Sequence, residues 1–326
     1  MLFNIFTFNF GSLPAVESQA PLIDYFRKTL SACGHDVIVE YDRIHANAIN
    51  LLFEGFTNES LNREISNMRR EKGIRFGIIA TELMQEEGFI HAGSVTYAGT
   101  TDQESMMSLR LDGFAEVVKS VDFVWSLLSR TADYLSNSVA ISEWLPIGHI
   151  EDMPAELRRS PKNIDICFFG NATPHRKSVI NSFVDSGLQV VAVGSGFPPL
   201  EFLPWPLLGS LLDQSKIALS ITLHAADEAP AGIDPRTASC LRVLECLRRD
   251  ITLVSEDIPF DNPYEDFMES APIVELPVLC KRLLEDGNWE KLGQQKGKKF
   301  RKVMDARKMC TPVIERTLTA MGLEGK

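Results

Sequence analysis

The sequence predicts an α/β protein of two Rossmann-like domains, each built on a parallel sheet with helices on both faces. Three observations carry this. Short apolar runs alternate with amphipathic stretches over most of the chain, the order expected of parallel strands joined by helices. The alternation is interrupted by a polar, proline-containing stretch, Glu151–Asn163, and then restarts. The chain has 326 residues, 44% hydrophobic and 24% charged, which suits two globular domains at roughly 150 residues each.

In the first half, Phe3–Phe10, Asp36–Tyr41, Ile49–Phe53, Arg75–Thr81 and Asp122–Leu127 read as strands, and Val139–Ile147 leads into Pro146 and Gly148. Between them, Glu17–Cys33 places Leu22, Phe26, Thr29 and Leu30 at helical spacing. Asn58–Arg70 is a helix with Asn58 as N-cap, Gln103–Lys119 a helix, and Arg130–Asn137 a short one. After the interruption, Ile164–Phe169, Gln189–Val193, Ile217–Leu223 and Ile251–Ser255 read as strands. Arg176–Ser186, Leu207–Gln214, Thr237–Arg248, Val278–Glu285 and Trp289–Ala306 read as helices. The domains are thus expected at 1–150 and 164–305, meeting near residue 155, with 306–326 as a C-terminal tail or helix.

Lys and Arg number 33 against 44 Asp and Glu, a net charge of −11. So acidic a chain is a poor non-specific binder of nucleic acid, which requires cations on phosphates. No apolar run reaches the roughly 18–20 residues that span a bilayer. The apolar start lacks a basic flank and reads as a strand rather than a leader. The six cysteines are scattered without a C-x-x-C pair, which predicts free thiols in the cytoplasm.

Several chemistries are excluded by their missing motifs. There is no G-x-x-x-x-G-K-[ST] and no G-x-S-x-G. Gly194-Ser195-Gly196 follows a strand but runs into Pro198 and Pro199, so it reads as a tight turn and not a dinucleotide fingerprint. No histidine cluster and no Asp-x-Asp pair is present to hold a divalent ion.

The informative region is Asn163–Glu256. Gly170-Asn171-Ala172-Thr173-Pro174-His175-Arg176-Lys177 links a strand end to a helix start. A glycine admits close approach to the backbone, and a helix N-terminus with nearby cations favours an anion. The same residues also suit a plain βα loop with solvated charges. Lys216 precedes the strand at Ile217–Leu223 and His224 ends it, near where ligands of parallel sheets sit; a lone histidine there is more often structural. Arg242 and Glu245 lie three apart on an apolar helix. They make either an ordinary ion pair or a unit with Arg242 on phosphate and Glu245 on ribose hydroxyls.

Taken in order, Pro146-Ile147-Gly148, IDICFFGNATPHRK, SKIALSITLH, RVLECL and ITLVSED resemble the C-terminal half of bacterial GT-B glycosyltransferases, most nearly the small glycosyltransferase family 1-like proteins of the spore-maturation type. The resemblance covers about residues 143–305. It implies parallel sheets facing across a cleft, a nucleotide-sugar donor such as a UDP- or GDP-sugar in the second domain, and an acceptor of unknown class in the first. It further implies Glu245 on the ribose, Arg242 and Lys216 on the diphosphate, and Gly170 at the point of close approach. Arg176 and His224 complete the expected donor-binding set. No cofactor is implied beyond the donor substrate.

Two departures stand out. Cys246-Leu247-Arg248-Arg249-Asp250 follows the R-x-x-E unit where the group carries small residues and glycine. Thr237 occupies the position eight before Glu245 where retaining members place a first glutamate. The second departure favours an inverting mechanism or an unusual sugar, and the missing Asp-x-Asp pair and histidine cluster predict transfer without a metal; an inverting transfer needs a base for the acceptor hydroxyl. Glu82, after RFGIIAT, and Glu54, after INLLF, are the candidates, Glu82 first. The rival readings are a non-catalytic nucleotide- or sugar-binding protein of the same fold and a nucleotide-sugar epimerase or phosphorylase.

Overall fold

The computed structural model describes residues 1–10, 16, 19–85, 88–89, 103–151, 161–225, 234–258 and 262–323. The described residues form two compact units. One takes Met1–Gly93, Asp102–Asp152 and Ala306–Lys326; the other is centred on Met153–Asp305. Most of the polar stretch expected to join the domains, Glu151–Asn163, lies outside the described residues, at 152–160, as does Glu17, the expected start of the first helix.

In the first unit the strands of the main sheet are β1 (Leu2–Phe6), β2 (Asp36–Glu40), β3 (Ile49–Phe53), β4 (Arg75–Ala80), β5 (Phe123–Ser126) and β6 (Ser142–Trp144), beside a two-stranded antiparallel pair, Met84–Gln85 with Gly88–Phe89. The main sheet has the order β2-β1-β3-β4-β5-β6, every neighbouring pair parallel. The helices are α1 (Ala20–Ala32), α2 (Glu59–Lys72), α3 (Gln103–Val117) and α4 (Ser129–Leu135). Asn58 caps α2 as its position predicts, its side chain accepting from Leu61 N at 3.1 Å. Gly73 closes the same helix in the left-handed conformation. β3 is buried along its whole length, the continuous apolar run of a strand covered on both faces.

The second unit holds β7 (Ile164–Phe169), β8 (Val190–Val193), β9 (Ser215–Ser220), β10 (Thr252–Glu256) and β11 (Glu269–Ala271) in the all-parallel order β8-β7-β9-β10-β11. Its helices are α5 (Pro174–Asp185), α6 (Trp205–Asp213), α7 (Cys240–Leu247), α8 (Leu276–Glu285) and α9 (Asn288–Val303). Ile166, Phe168, Ile217, Leu219 and Val254 pack with Val179, Phe183 and Leu283 of the covering helices. A last helix, α10 (Ala306–Ala320), belongs to the first unit. There Trp125 Nε1 donates to Thr317 Oγ1 at 3.0 Å, satisfying the indole inside the core.

Both sheets therefore reverse strand order once, beside their first strand: at β1/β3 in the first unit and at β7/β9 in the second. In open parallel sheets the crevice outside the carboxyl ends at that reversal is where ligands bind. All six cysteines are free. No helix among the described residues is long and apolar enough to cross a membrane.

Candidate functional site

In the second unit, the carboxyl end of β7 runs directly into Gly170, whose φ of 142° favours glycine. A Cβ here would lie 2.9 Å from Arg242 Nη2 and 3.3 Å from Arg176 Nη1. The two guanidinium groups therefore converge on this glycine. Gly194 closes in from β8, where a Cβ would sit 2.1 Å from the Gly170 oxygen. Phe197 N donates to Gly194 O at 2.9 Å, the tight turn expected of Gly194-Ser195-Gly196.

Arg176 stands in the first turn of α5, whose N-cap Thr173 accepts from Arg176 N at 3.1 Å. Its side chain is 7% exposed. Nε donates to Thr222 O at 3.0 Å, Nη1 to Asn171 O at 2.9 Å and Nη2 to Ile221 O at 3.2 Å. Arg242, in the first turn of α7, is 3% exposed. Its Nη2 donates to Phe169 O at 2.7 Å and Nη1 to Ile221 O at 3.4 Å, with the Phe168 ring 5.0 Å from Cζ. Each guanidinium is thus held by carbonyl oxygens, and among the described residues neither has a carboxylate within ion-pairing distance. Burial lowers Arg176 to about 9, helped by the charge of Arg242, and burial lowers Arg242 to about 10. The charge of the buried Glu256 opposes the shift at both; two buried cations whose hydrogen bonds go to carbonyls, with one carboxylate acting on both, form a site that a further anion would stabilise.

Glu256, the last residue of β10, is buried at the same sheet edge. Thr222 N donates to its carboxylate, and His175 Nε2 lies 3.4 Å away. Neither Glu256 nor His175 was expected from the sequence. Each contact joins residues more than thirty positions apart, and no local spacing announces that.

The structure does not bring every expected donor-site residue here. Lys216 is the second residue of β9, whereas the ligand edge lies beyond Ser220. At about 3.3 Å per residue that is roughly 13 Å along the strand. Lys216 instead pairs with Asp165 at 2.5 Å, at the amino ends of the two strands. The expected diphosphate role is corrected on that ground. His224 lies four residues past the end of β9, buried in the loop that follows, and its carbonyl accepts from Thr222 Oγ1 at 2.7 Å.

Glu245 is fully buried. Its Oε2 accepts from Arg248 at 2.6 Å, Arg249 Nε lies 3.6 Å away, and Arg249 in turn pairs with Asp213 at 2.7 Å. Glu245 shares no hydrogen bond or ion pair with Arg176, Arg242, His175 or Glu256. Its partner at i,i+3 is Arg248 and not Arg242. Burial raises its pKa.

In the first unit, Glu54 and Glu82 come together at the carboxyl ends of β3 and β4. Glu54 is 4% exposed and accepts from both Thr81 N and Thr81 Oγ1. Arg110, from α3, reaches Glu54 Oε1 at 3.4 Å and Glu82 Oε1 at 3.3 Å, bridging the two carboxylates. Burial is the main cause that raises Glu54 to about 7; Arg110 opposes it and the charge of Glu82 adds to it. The Glu82 side chain is 28% exposed. Arg110 was not expected from the sequence, since it lies 56 residues from Glu54.

Solved structures similar over nearly the whole chain decide the fold. The DNA-modifying enzyme β-glucosyltransferase, determined in the presence and absence of uridine diphosphoglucose, matches with a TM-score of 0.57 over 99% of both chains at 14% identity. The fold is that of the GT-B glycosyltransferases. A glycosyltransferase from Rickettsia africae also has this fold, with a TM-score of 0.53 over 98% of each chain at 10% identity. A GT-B neighbour in complex with UDP and Mn²⁺, the T4 phage β-glucosyltransferase, gives 0.54 at 13% identity over 98% of this chain and 99% of its own. No protein-family model matches the chain and no curated protein matches it, so the narrower spore-maturation-type resemblance has no support from either. In the GT-B fold seen here, both switch points carry clustered charge: cationic in the second unit, acidic in the first.

Proposed function

We propose that this protein transfers a sugar from a nucleotide-diphosphate donor to an acceptor hydroxyl. The donor binds the second unit and the acceptor binds the first. The observation that carries the reading is the pair of buried guanidinium groups, Arg176 and Arg242, converging on Gly170 at the β7/β9 switch point with no carboxylate in ion-pairing distance among the described residues.

Such a pair neutralises a diphosphate in the ground state. It does more as the bond between the anomeric carbon and the β-phosphate oxygen breaks, because the electron pair stays with the departing nucleotide. The acceptor oxygen forms the new bond to the anomeric carbon and its proton passes to a carboxylate. Glu82 is that proton acceptor, being the more open of the two. Glu54 acts through it, held by Thr81 and sharing Arg110. A base whose surroundings titrate near neutrality is well matched to the step. The Thr237 departure from the two-glutamate pattern supports the inverting course. Glu245 is kept as a ribose-binding proposal, tested below against its ion pairs.

Two arginines placed to take the diphosphate charge support transfer without a divalent ion. Release of UDP or GDP from a panel of nucleotide sugars should therefore proceed undiminished in EDTA. Loss in EDTA with recovery on adding Mn²⁺ or Mg²⁺ would contradict metal independence. Absence of any release, with nucleotide binding intact, would favour a binding protein of this fold. Six free cysteines suit the reducing cytoplasm.

A further inference from the structure

Both arginines of the candidate donor site rest on a single peptide. Ile221 O accepts from Arg176 Nε at 3.3 Å and Nη2 at 3.2 Å, and from Arg242 Nη1 at 3.4 Å. The N–H of the same peptide is that of Thr222, and it donates to Glu256 Oε1. A trans peptide is planar, and its C=O and N–H point in opposite directions. Fixing the N–H therefore aims the oxygen that the two guanidinium groups share. A carboxylate on the N–H also polarises the amide and strengthens its oxygen as an acceptor.

The strand ladder explains why a side chain has this task. β9 pairs with β10 as far as Ser220, opposite Ser255. Beyond it Ile221 and Thr222 leave the ladder, and Glu256, the next residue of β10, reaches them with its side chain. The carboxylate is buried, with His175 Nε2 3.4 Å from each of its oxygens. The rest of the segment is tied down as well. Thr222 Oγ1 donates to His224 O at 2.7 Å, and Thr173, the N-cap of α5, donates its hydroxyl to Leu223 O at 2.9 Å. A negative charge so near an anion site works against the anion. Its place there is accounted for by the hold it keeps on the Ile221–Thr222 peptide.

We infer that Glu256 is a positioning residue of the diphosphate site. It aims Arg176 and Arg242 at Gly170 through the Ile221–Thr222 peptide and does not itself touch the donor. The inference rests on the donor reading above.

Two substitutions set geometry against charge. Glu256→Asp keeps the charge but draws the acceptor back from Thr222 N by one methylene. Glu256→Gln gives up the charge but keeps an oxygen for Thr222 N, and its amide donates to a neutral His175. UDP, GDP and uridine are titrated calorimetrically into the full chain and both variants, with thermal unfolding of each alongside. Glu256→Asp should bind the preferred diphosphate at least about tenfold more weakly, with uridine affinity unchanged. Glu256→Gln should bind it at least as tightly as wild type, because the acceptor remains and the repulsion is gone. A Glu256→Asp variant as tight as wild type, or a Glu256→Gln variant as weak as Glu256→Asp, would overturn the inference. So would a loss of uridine affinity in step with the diphosphate, the mark of a merely structural residue. Should Glu256→Asp not fold, Glu256→Gln still separates acceptor from charge: wild-type affinity supports the inference and a tenfold loss overturns it. If wild type binds neither diphosphate, the donor reading has failed and the inference falls with it; with wild-type binding intact, the order of the variants judges the inference alone.

Discussion

At the scale of single residues, the two switch points make opposite demands on charge. Glu54 is held near pKa 7 chiefly by burial. Its folded value exceeds the usual carboxylate value of about 4.3. The protonated form therefore favours the fold, and this stabilisation is complete below the unfolded value and lost as pH rises through 7. Glu54→Gln removes the loss. It should be more stable than wild type at pH 8, on the order of 2–3 kcal/mol at most, read as an upward shift of Tm. The acidic limb of the kcat profile should also move from near 7 toward the ordinary carboxylate range. Glu82→Gln should instead lower kcat by about 10²- to 10⁴-fold, and because it removes a charge that helps raise Glu54, the limb of the residual activity should move down as well. Glu245 separates two accounts. If its carboxylate only compensates Arg248 and Arg249, Glu245→Ala leaves the largely buried Arg248 without its partner while Arg249 keeps Asp213, and costs about 3–5 kcal/mol of stability at most, with nucleotide affinity intact. If it takes ribose hydroxyls, affinity falls about 10- to 100-fold, since each charge-assisted bond contributes roughly 1.5–3 kcal/mol. Denaturation and calorimetry on the same variant tell these apart.

The elements show what local pattern can and cannot reveal. β3 and β7 were legible to the residue, because strands buried on both faces are unbroken apolar runs bounded by polar residues. β9 was less so. The run IALSITL reads as strand throughout, but pairing with β7 and β10 ends at Ser220, and Ile221 and Thr222 instead offer their carbonyls to Arg176. That shift leaves His224 in a loop. Lys216 was misplaced for a simpler reason: a residue opening a strand lies at the edge opposite the ligand. The convergence of Gly170, Arg176 and Arg242 could be anticipated because each sits where a strand end or helix start must lie. The contacts of Arg110, His175 and Glu256 could not, since they run across the sheet between residues far apart in sequence. α9 carries glycines that propensity alone disfavours. Gly293 lies where a Cβ would come 2.2 Å from Asp250 O, so the helix packs directly on the turn after α7. Gly293→Ala should force the two apart and cost roughly 1–3 kcal/mol, measured by chemical denaturation.

At the scale of the whole molecule, the sequence announced two parallel-sheet units through its strand–helix rhythm, and the structure has them. The net charge of −11 makes the chain a poor non-specific binder of polyanions, although the DNA-modifying β-glucosyltransferase shares the fold at 14% identity. A shared fold does not carry the acceptor with it. What the fold does carry is a place for the donor, and there the account is most exposed. Calorimetric titration of wild type and Arg242→Ala with UDP, GDP and uridine tests it directly. Wild type should bind one of the diphosphates, and Arg242→Ala should bind it at least tenfold more weakly, a loss of about 1.4 kcal/mol, with uridine affinity little changed. Equal diphosphate affinity in the two proteins, or no binding of either diphosphate to wild type, would contradict the assignment of the β7/β9 switch point as a nucleotide-diphosphate site.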